Sequence, residues 1–110
     1  MDALIRDIIA FRDERDWKQF HNPKDLAISL SLEASELLEI FQWETSGEVP
    51  ESKREALRDE LADVMIYALT LAHDLDIDVK AAIRDKMAKN AAKYPVDRSR
   101  GSSKKYTELE

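Results

Sequence analysis

Leu26, Leu30, Leu37 and Ile40 recur at the three- and four-residue spacing of one helix face, and Glu33 stands in the middle of that stripe. The spacing predicts a helix whose inner wall is leucine and isoleucine. It also sets a carboxylate in that wall, which is costly unless something pairs with it. The stretch LEASELLEIF, residues 32–41, therefore makes two demands: an amphipathic helix, and a cation against it.

The same period governs the rest of the chain, which has only 2 Gly and 3 Pro. A first helix is expected from Asp2 to Asp16, with Leu4, Ile5, Ile8, Ile9 and Phe11 as its apolar side. WKQFHNP breaks it. Asn22 then suits a cap, Pro23 a first helical position and Asp25 a first turn. That second helix is expected to run to about Thr45. After the loop SGEVP, a third is expected from Pro50 to about Leu75. Asp76 or Asp78 caps a fourth, which Tyr94-Pro95 stops after about Lys93. Short loops make the last three antiparallel neighbours. The expected fold is all-α, an antiparallel bundle of four main helices over residues 1–95, with a polar, basic tail over 96–110. Composition alone gives that tail no core of its own.

The third helix is apolar on more than one side. Leu57, Leu61, Val64, Ala68, Leu71 and Leu75 form one stripe, and Ala62, Ile66 and Leu69, with His73, lie toward the other side. A helix apolar nearly all round is a buried one. A chain of 110 residues folds as one domain with a modest core, so burying that helix calls for a homo-oligomer.

A net charge of −6 argues against nucleic-acid polymers as partners. The absence of cysteine excludes disulfides and thiolate zinc sites, and fits a cytoplasmic protein. MDALIRDIIAF lacks the basic start of a signal peptide, and no apolar run is long enough to suggest a membrane span.

Spacing alone does not single out the acids. Among 23 of them, five pairs stand three apart, about the number chance gives for this composition. The face they occupy separates two of those pairs. Glu33 lies within the apolar stripe and Glu36 one step round, beside Ser29, Ile40 and Trp43. On the third helix Glu60 borders the Leu57/Val64/Leu71 stripe, with Asp63 and Tyr67 just beyond. Two antiparallel helices thereby offer four carboxylates to one point. They repel unless some are protonated or a divalent cation sits among them. Oxygen-only donors suit Mg²⁺ or Mn²⁺.

The fourth helix repeats the anomaly with the opposite sign. Val79, Ile83, Met87 and Asn90 mark its inward stripe, and Lys86 falls within it, four residues from Asn90. A snorkelling side chain or a salt bridge also accounts for Lys86. Taken with the acids, it suits a metal carrying a phosphate chain. Trp17, Phe20 and His21 precede the second helix and Trp43 ends it; these are flat surfaces for a base, or core residues.

E33-A-S-E36 followed by E60-L-A-D63 resembles the E-x-x-E…E-x-x-D metal motif of the MazG-like all-α nucleotide pyrophosphohydrolases. ERDWKQFHNP, ELLEIFQW, DELADVMIY, KMAKNAAKYPV and SRGSSKKYTEL resemble the dCTP pyrophosphatase branch of that family, in order and over nearly the whole chain. The resemblance implies Mg²⁺-dependent cleavage of a nucleoside triphosphate to the monophosphate and pyrophosphate, in dimers or tetramers of helical subunits. It implies Glu33, Glu36, Glu60 and Asp63 as metal ligands, one of them orienting or deprotonating the attacking water. Lys86 would offset the charge of the leaving pyrophosphate. Tyr67, Lys86, Asn90 and Tyr94 would contact phosphates and sugar, and Trp17 and Trp43, with Phe20 or His21, the base. It also favours an ordered tail, set against a neighbouring subunit. The connection TSGEVPESKRE is shorter than animal members lead one to expect, and Ile8 and Phe11 stand where a polar base contact would fit. The rival readings are a dUTP or phosphoribosyl-ATP pyrophosphohydrolase of the same superfamily, and a helical interaction module without catalysis.

Overall fold

The computed structural model describes residues 1–44 and 48–109. The expected end of the second helix at Thr45, and Ser46 and Gly47 of the loop after it, lie outside them. Four long helices form: α1 (Asp2–Glu14), α2 (Pro23–Glu39), α3 (Arg54–Asp74) and α4 (Val79–Lys93). A single-turn helix, α5 (Val96–Ser99), and three 3₁₀ turns at Lys18–Phe20, Glu51–Lys53 and Tyr106–Glu108 complete the helical structure; there is no strand among the described residues. The chain divides into two compact units, Met1–Ile77 and Asp78–Glu110.

Local chemistry sets the ends. Asn22 Oδ1 accepts from the Asp25 amide at 2.8 Å, and Asp78 Oδ1 from that of Ala81 at 3.1 Å. Each such cap is worth about 1 kcal/mol. α1 and α3 stop by the same device. Asp16 and Asp76 both take φ 54°. The Asp16 and Trp17 amides bond back to Asp13 and Arg12, and those of Asp76 and Ile77 to His73 and Ala72. This is a Schellman motif with aspartate in the left-handed position. Its usual apolar contact is present in α1, where Trp17 meets Phe11 edge-on at 5.9 Å.

The second helix ends earlier than expected, at Glu39. From Ile40 on, amides bond three residues back rather than four, to Leu37, Leu38 and Glu39, so the last turn tightens. Trp43 then takes φ 75°, and the helix cannot continue. The third helix begins only at Arg54, because residues 51–53 form the 3₁₀ turn.

In the first unit α2 packs along α3, and α1 packs on α3 as well. Lys53, just before α3, bonds the Ile40 carbonyl at the end of α2 at 3.2 Å and Glu44 at 2.7 Å. Glu33 and Glu36 meet Glu60 further along. Contacts in that reversed order make α2 and α3 antiparallel. α1 runs parallel to α3, since Arg12 near the end of one grips Asp74 at the end of the other through two hydrogen bonds, 2.7 and 3.0 Å. Leu26 is fully buried, and Leu69 and Ala72 nearly so. α1 and α2 pack on α3 within its unit without the complete burial expected for it: Leu61 stays 51% exposed and Met65 45%. In the second unit Tyr106 lies against Tyr94, centroids 6.1 Å apart, and under Lys93 Nζ at 4.9 Å, so the tail folds back on the end of α4. No described helix is long and apolar enough to cross a membrane.

Candidate functional site

The antiparallel pairing of α2 and α3 brings carboxylate oxygens of Glu33, Glu36 and Glu60 within 4.8 Å of one another. Glu33 and Glu60 are half-buried; Glu36 is exposed. The Oε2 atoms of Glu33 and Glu60 are shut off from solvent and have no hydrogen-bond partner among the described residues. No lysine, arginine or histidine forms an ion pair with the trio among the described residues.

Electrostatics records the tension. Burial, then the hydrogen bond and charge of Glu36, then Glu60 and Asp63, push the Glu33 carboxyl up to about 7. Burial and Glu36 raise Glu60 as well. Two orphaned buried oxygens in an all-carboxylate set are what a hard divalent cation satisfies, so these residues fit Mg²⁺ or Mn²⁺. Asp63, one turn beyond Glu60, contributes its charge to both raised carboxyls but does not join the close trio.

A cavity of about 300 Å³ opens between α1 and α3. It unites three of the expected base-holding or sugar-holding side chains, Trp17, His21 and Tyr67. The Schellman turn after α1 carries Trp17 to the cavity wall. His21 and Tyr67 meet edge-on, centroids 6.4 Å apart. Phe20 and Trp43 are not in the wall; they stand 65% and 88% exposed. Tyr67 is seven residues past Glu60, about 10 Å along α3.

Three polar wall residues escaped the sequence reading: Asp7, Arg12 and Thr70. Arg12 is 3% exposed. Ile5, Ile8, Ile9 and Arg12 follow helix-face spacing, the same signal that marked Glu33, so Arg12 was findable. Its hydrogen bond to Asp74 raises its pKa. Burial pulls the Asp74 carboxyl up, but bonds from Arg12 and His73 outweigh it and hold Asp74 below its usual value. Thr70 donates to the Ile66 carbonyl at 2.7 Å.

In the second unit, Lys86 and Asn90 are exposed on α4, and Tyr94 is half-buried against Tyr106. The inward stripe expected for α4 is largely uncovered within that unit, with Ile83 53% and Met87 64% exposed.

The MazG-like family model matches residues 28–109. The dCTP pyrophosphatase 1 of Homo sapiens is 46% identical over 104 residues, covering 90% of this chain and 61% of that protein. Its Mus musculus counterpart is 45% identical over the same shares. The chain thus spans 61% of the length of these relatives. The crystal structure of a pyrophosphatase from Archaeoglobus fulgidus matches with a TM-score of 0.82 and 44% identity, covering 86% of this chain and 92% of its own. By family match, relatives and fold together, the chain belongs to the MazG-like family.

Proposed function

We propose that this chain hydrolyses a nucleoside triphosphate to the monophosphate and pyrophosphate, with dCTP or a 5-modified dCTP preferred. One observation carries the reaction: the Glu33–Glu36–Glu60 trio, with two buried oxygens that have no hydrogen-bond partner among the described residues. The base preference follows the name its mammalian relatives bear. Glu33, Glu36 and Glu60, with Asp63, would hold Mg²⁺, or Mn²⁺ in its place. When bound, the cation supplies Lewis-acid polarisation of the phosphate chain and neutralises the carboxylates.

The chain's own residues account for the rest. Glu36, the exposed member, is open to water. One carboxylate of the set orients a water against the α-phosphorus and accepts its proton. The new P–O bond forms as the bond to pyrophosphate breaks, and Lys86 compensates the departing charge. Tyr67, Asn90 and Tyr94 contact phosphates and sugar. Trp17 and His21 hold the base in the cavity, and Phe20 and Trp43 are retained as outer contacts. No serine or cysteine nucleophile is needed. The reading carries with it a cytoplasmic homo-oligomer and a tail over 96–110 distinct from the helical domain.

The test is pyrophosphate release from the canonical dNTPs, dUTP and 5-methyl-dCTP, with and without Mg²⁺. Release led by dCTP or its 5-methyl form is expected, falling at least about a hundredfold in Glu33→Gln and Glu60→Gln. A folded wild type that releases nothing with Mg²⁺ present overturns the proposal.

A further inference from the structure

The cavity between α1 and α3 has a largely apolar wall, as stacking a base requires, set with a few polar side chains. Arg12 spends both terminal nitrogens on Asp74, and its Nε lies 3.6 Å from Asp13. Thr70 gives its hydroxyl hydrogen to Ile66. Arg12 Nε makes no hydrogen bond among the described residues, and two further wall residues, Asp7 and His21, offer groups that could read a ligand edge. The Asp7 carboxylate has no hydrogen-bond or ion-pair partner among the described residues. His21 Nδ1 is shut off from solvent and equally without a partner.

Asp7 is one helix turn before Phe11, whose ring meets Trp17, and all three residues line the cavity. A carboxylate presents acceptors only, whereas an imidazole nitrogen serves as donor or acceptor according to tautomer. A ligand edge satisfying both must offer an N–H donor to Asp7. The Watson–Crick edge of cytosine has its exocyclic amino group there, with ring N3 and O2 as acceptors beside it. Uracil and thymine place a carbonyl oxygen where that amino group sits, and a carboxylate repels it. Carboxylates are the side chains that accept from the cytosine amino group in nucleic-acid readout.

Resting on the pyrophosphohydrolase reading for the substrate class, we infer that Asp7 is the specificity-determining residue of the cavity: it accepts from the exocyclic amino group of cytosine and excludes uracil and thymine. A site built around a hydrogen bond discriminates strongly against the analogue lacking it, because a polar group is then left unpaired.

The test is binding of dCMP and dUMP to the metal-free protein by calorimetry, for wild type, Asp7→Asn and Asp7→Ala. Because no catalysis is involved, its outcome is separate from the Mg²⁺-dependent release assay, which judges the reaction itself. Wild type should favour dCMP by about tenfold or more. Asp7→Ala should abolish the preference, and Asp7→Asn, whose amide also donates, should move it toward dUMP. Equal binding of the two nucleotides by wild type, binding of neither, or an unchanged preference in both variants overturns the assignment. Asp7 lies on the exposed side of α1, so both variants should fold, which far-ultraviolet circular dichroism checks.

Discussion

Glu33 fixes what pH does to the metal-free fold. Burial and its neighbours raise its carboxyl to about 7, against 4.5 for an ordinary glutamate. A group raised in the folded state favours folding while protonated; the contribution is complete below about pH 4.5 and is lost as pH rises through about 7. In EDTA the melting temperature should therefore fall between pH 5 and pH 8, and Glu33→Gln, permanently neutral, should flatten the fall. Added Mg²⁺ should reverse the order at pH 8, because it binds the deprotonated set; at a hundred times its dissociation constant it contributes about 2.7 kcal/mol. Differential scanning fluorimetry of both proteins checks this. A wild type that melts higher at pH 8 than at pH 5 in EDTA would remove Glu33 from its place. This residue was legible in the sequence because a charge in a leucine stripe is an anomaly whatever surrounds it. Asp7 was not legible: it lies on the exposed side of α1, and only the turn that returns Trp17 to Phe11 gives it a cavity to face.

At the scale of elements, the helices were readable from period and caps, while their mutual arrangement depended on particular side chains. The sequence shows a helix start at Asn22-Pro23 because the cap chemistry is local. It hides the early end of α2, where the helix tightens and Trp43 adopts a conformation bulky residues rarely take. The attachment of α1 to α3 was equally hidden, because its partners Arg12 and Asp74 are 62 residues apart. Arg12→Ala leaves Asp74 half-desolvated without its cation, and breaking such a buried pair costs about 3 kcal/mol or more. Denaturant titration should show that loss, with a similar one for Asp74→Asn. Replacing both residues with leucine should recover most of it, since a well-packed apolar pair replaces a buried ion pair at little penalty. Asp74 lies below its usual value, so its contribution is present at neutral pH and disappears only as acid drives the pH through that lowered pKa. A double variant no better than either single one would mean that the guanidinium does more than hold the helices together.

At the scale of the molecule, apolar surface is the unbalanced quantity. Among the described residues Leu26, Leu69 and Ala72 are the buried apolar ones, while Ile28 and Leu32 on α2 and Leu61 and Met65 on α3 stand 45% exposed or more, in pairs one turn apart. Small cores leave domains of this size marginal, and paired apolar positions on neighbouring helices offer a second copy of the chain two ridges to pack against. That is the pattern behind the homo-oligomer expected from a third helix apolar on both sides. Light scattering on the eluting protein should give a dimer or tetramer at micromolar concentration, with a melting temperature that rises with concentration. Leu32→Glu and Met65→Glu set charges on those ridges; each should shift the mass toward the monomer and lower the melting temperature. Their exposure within the chain means that neither substitution disturbs the subunit's own core, so a drop in both quantities together reports the interface. A wild type that stays monomeric with a concentration-independent melt would leave these ridges as solvent-facing surface.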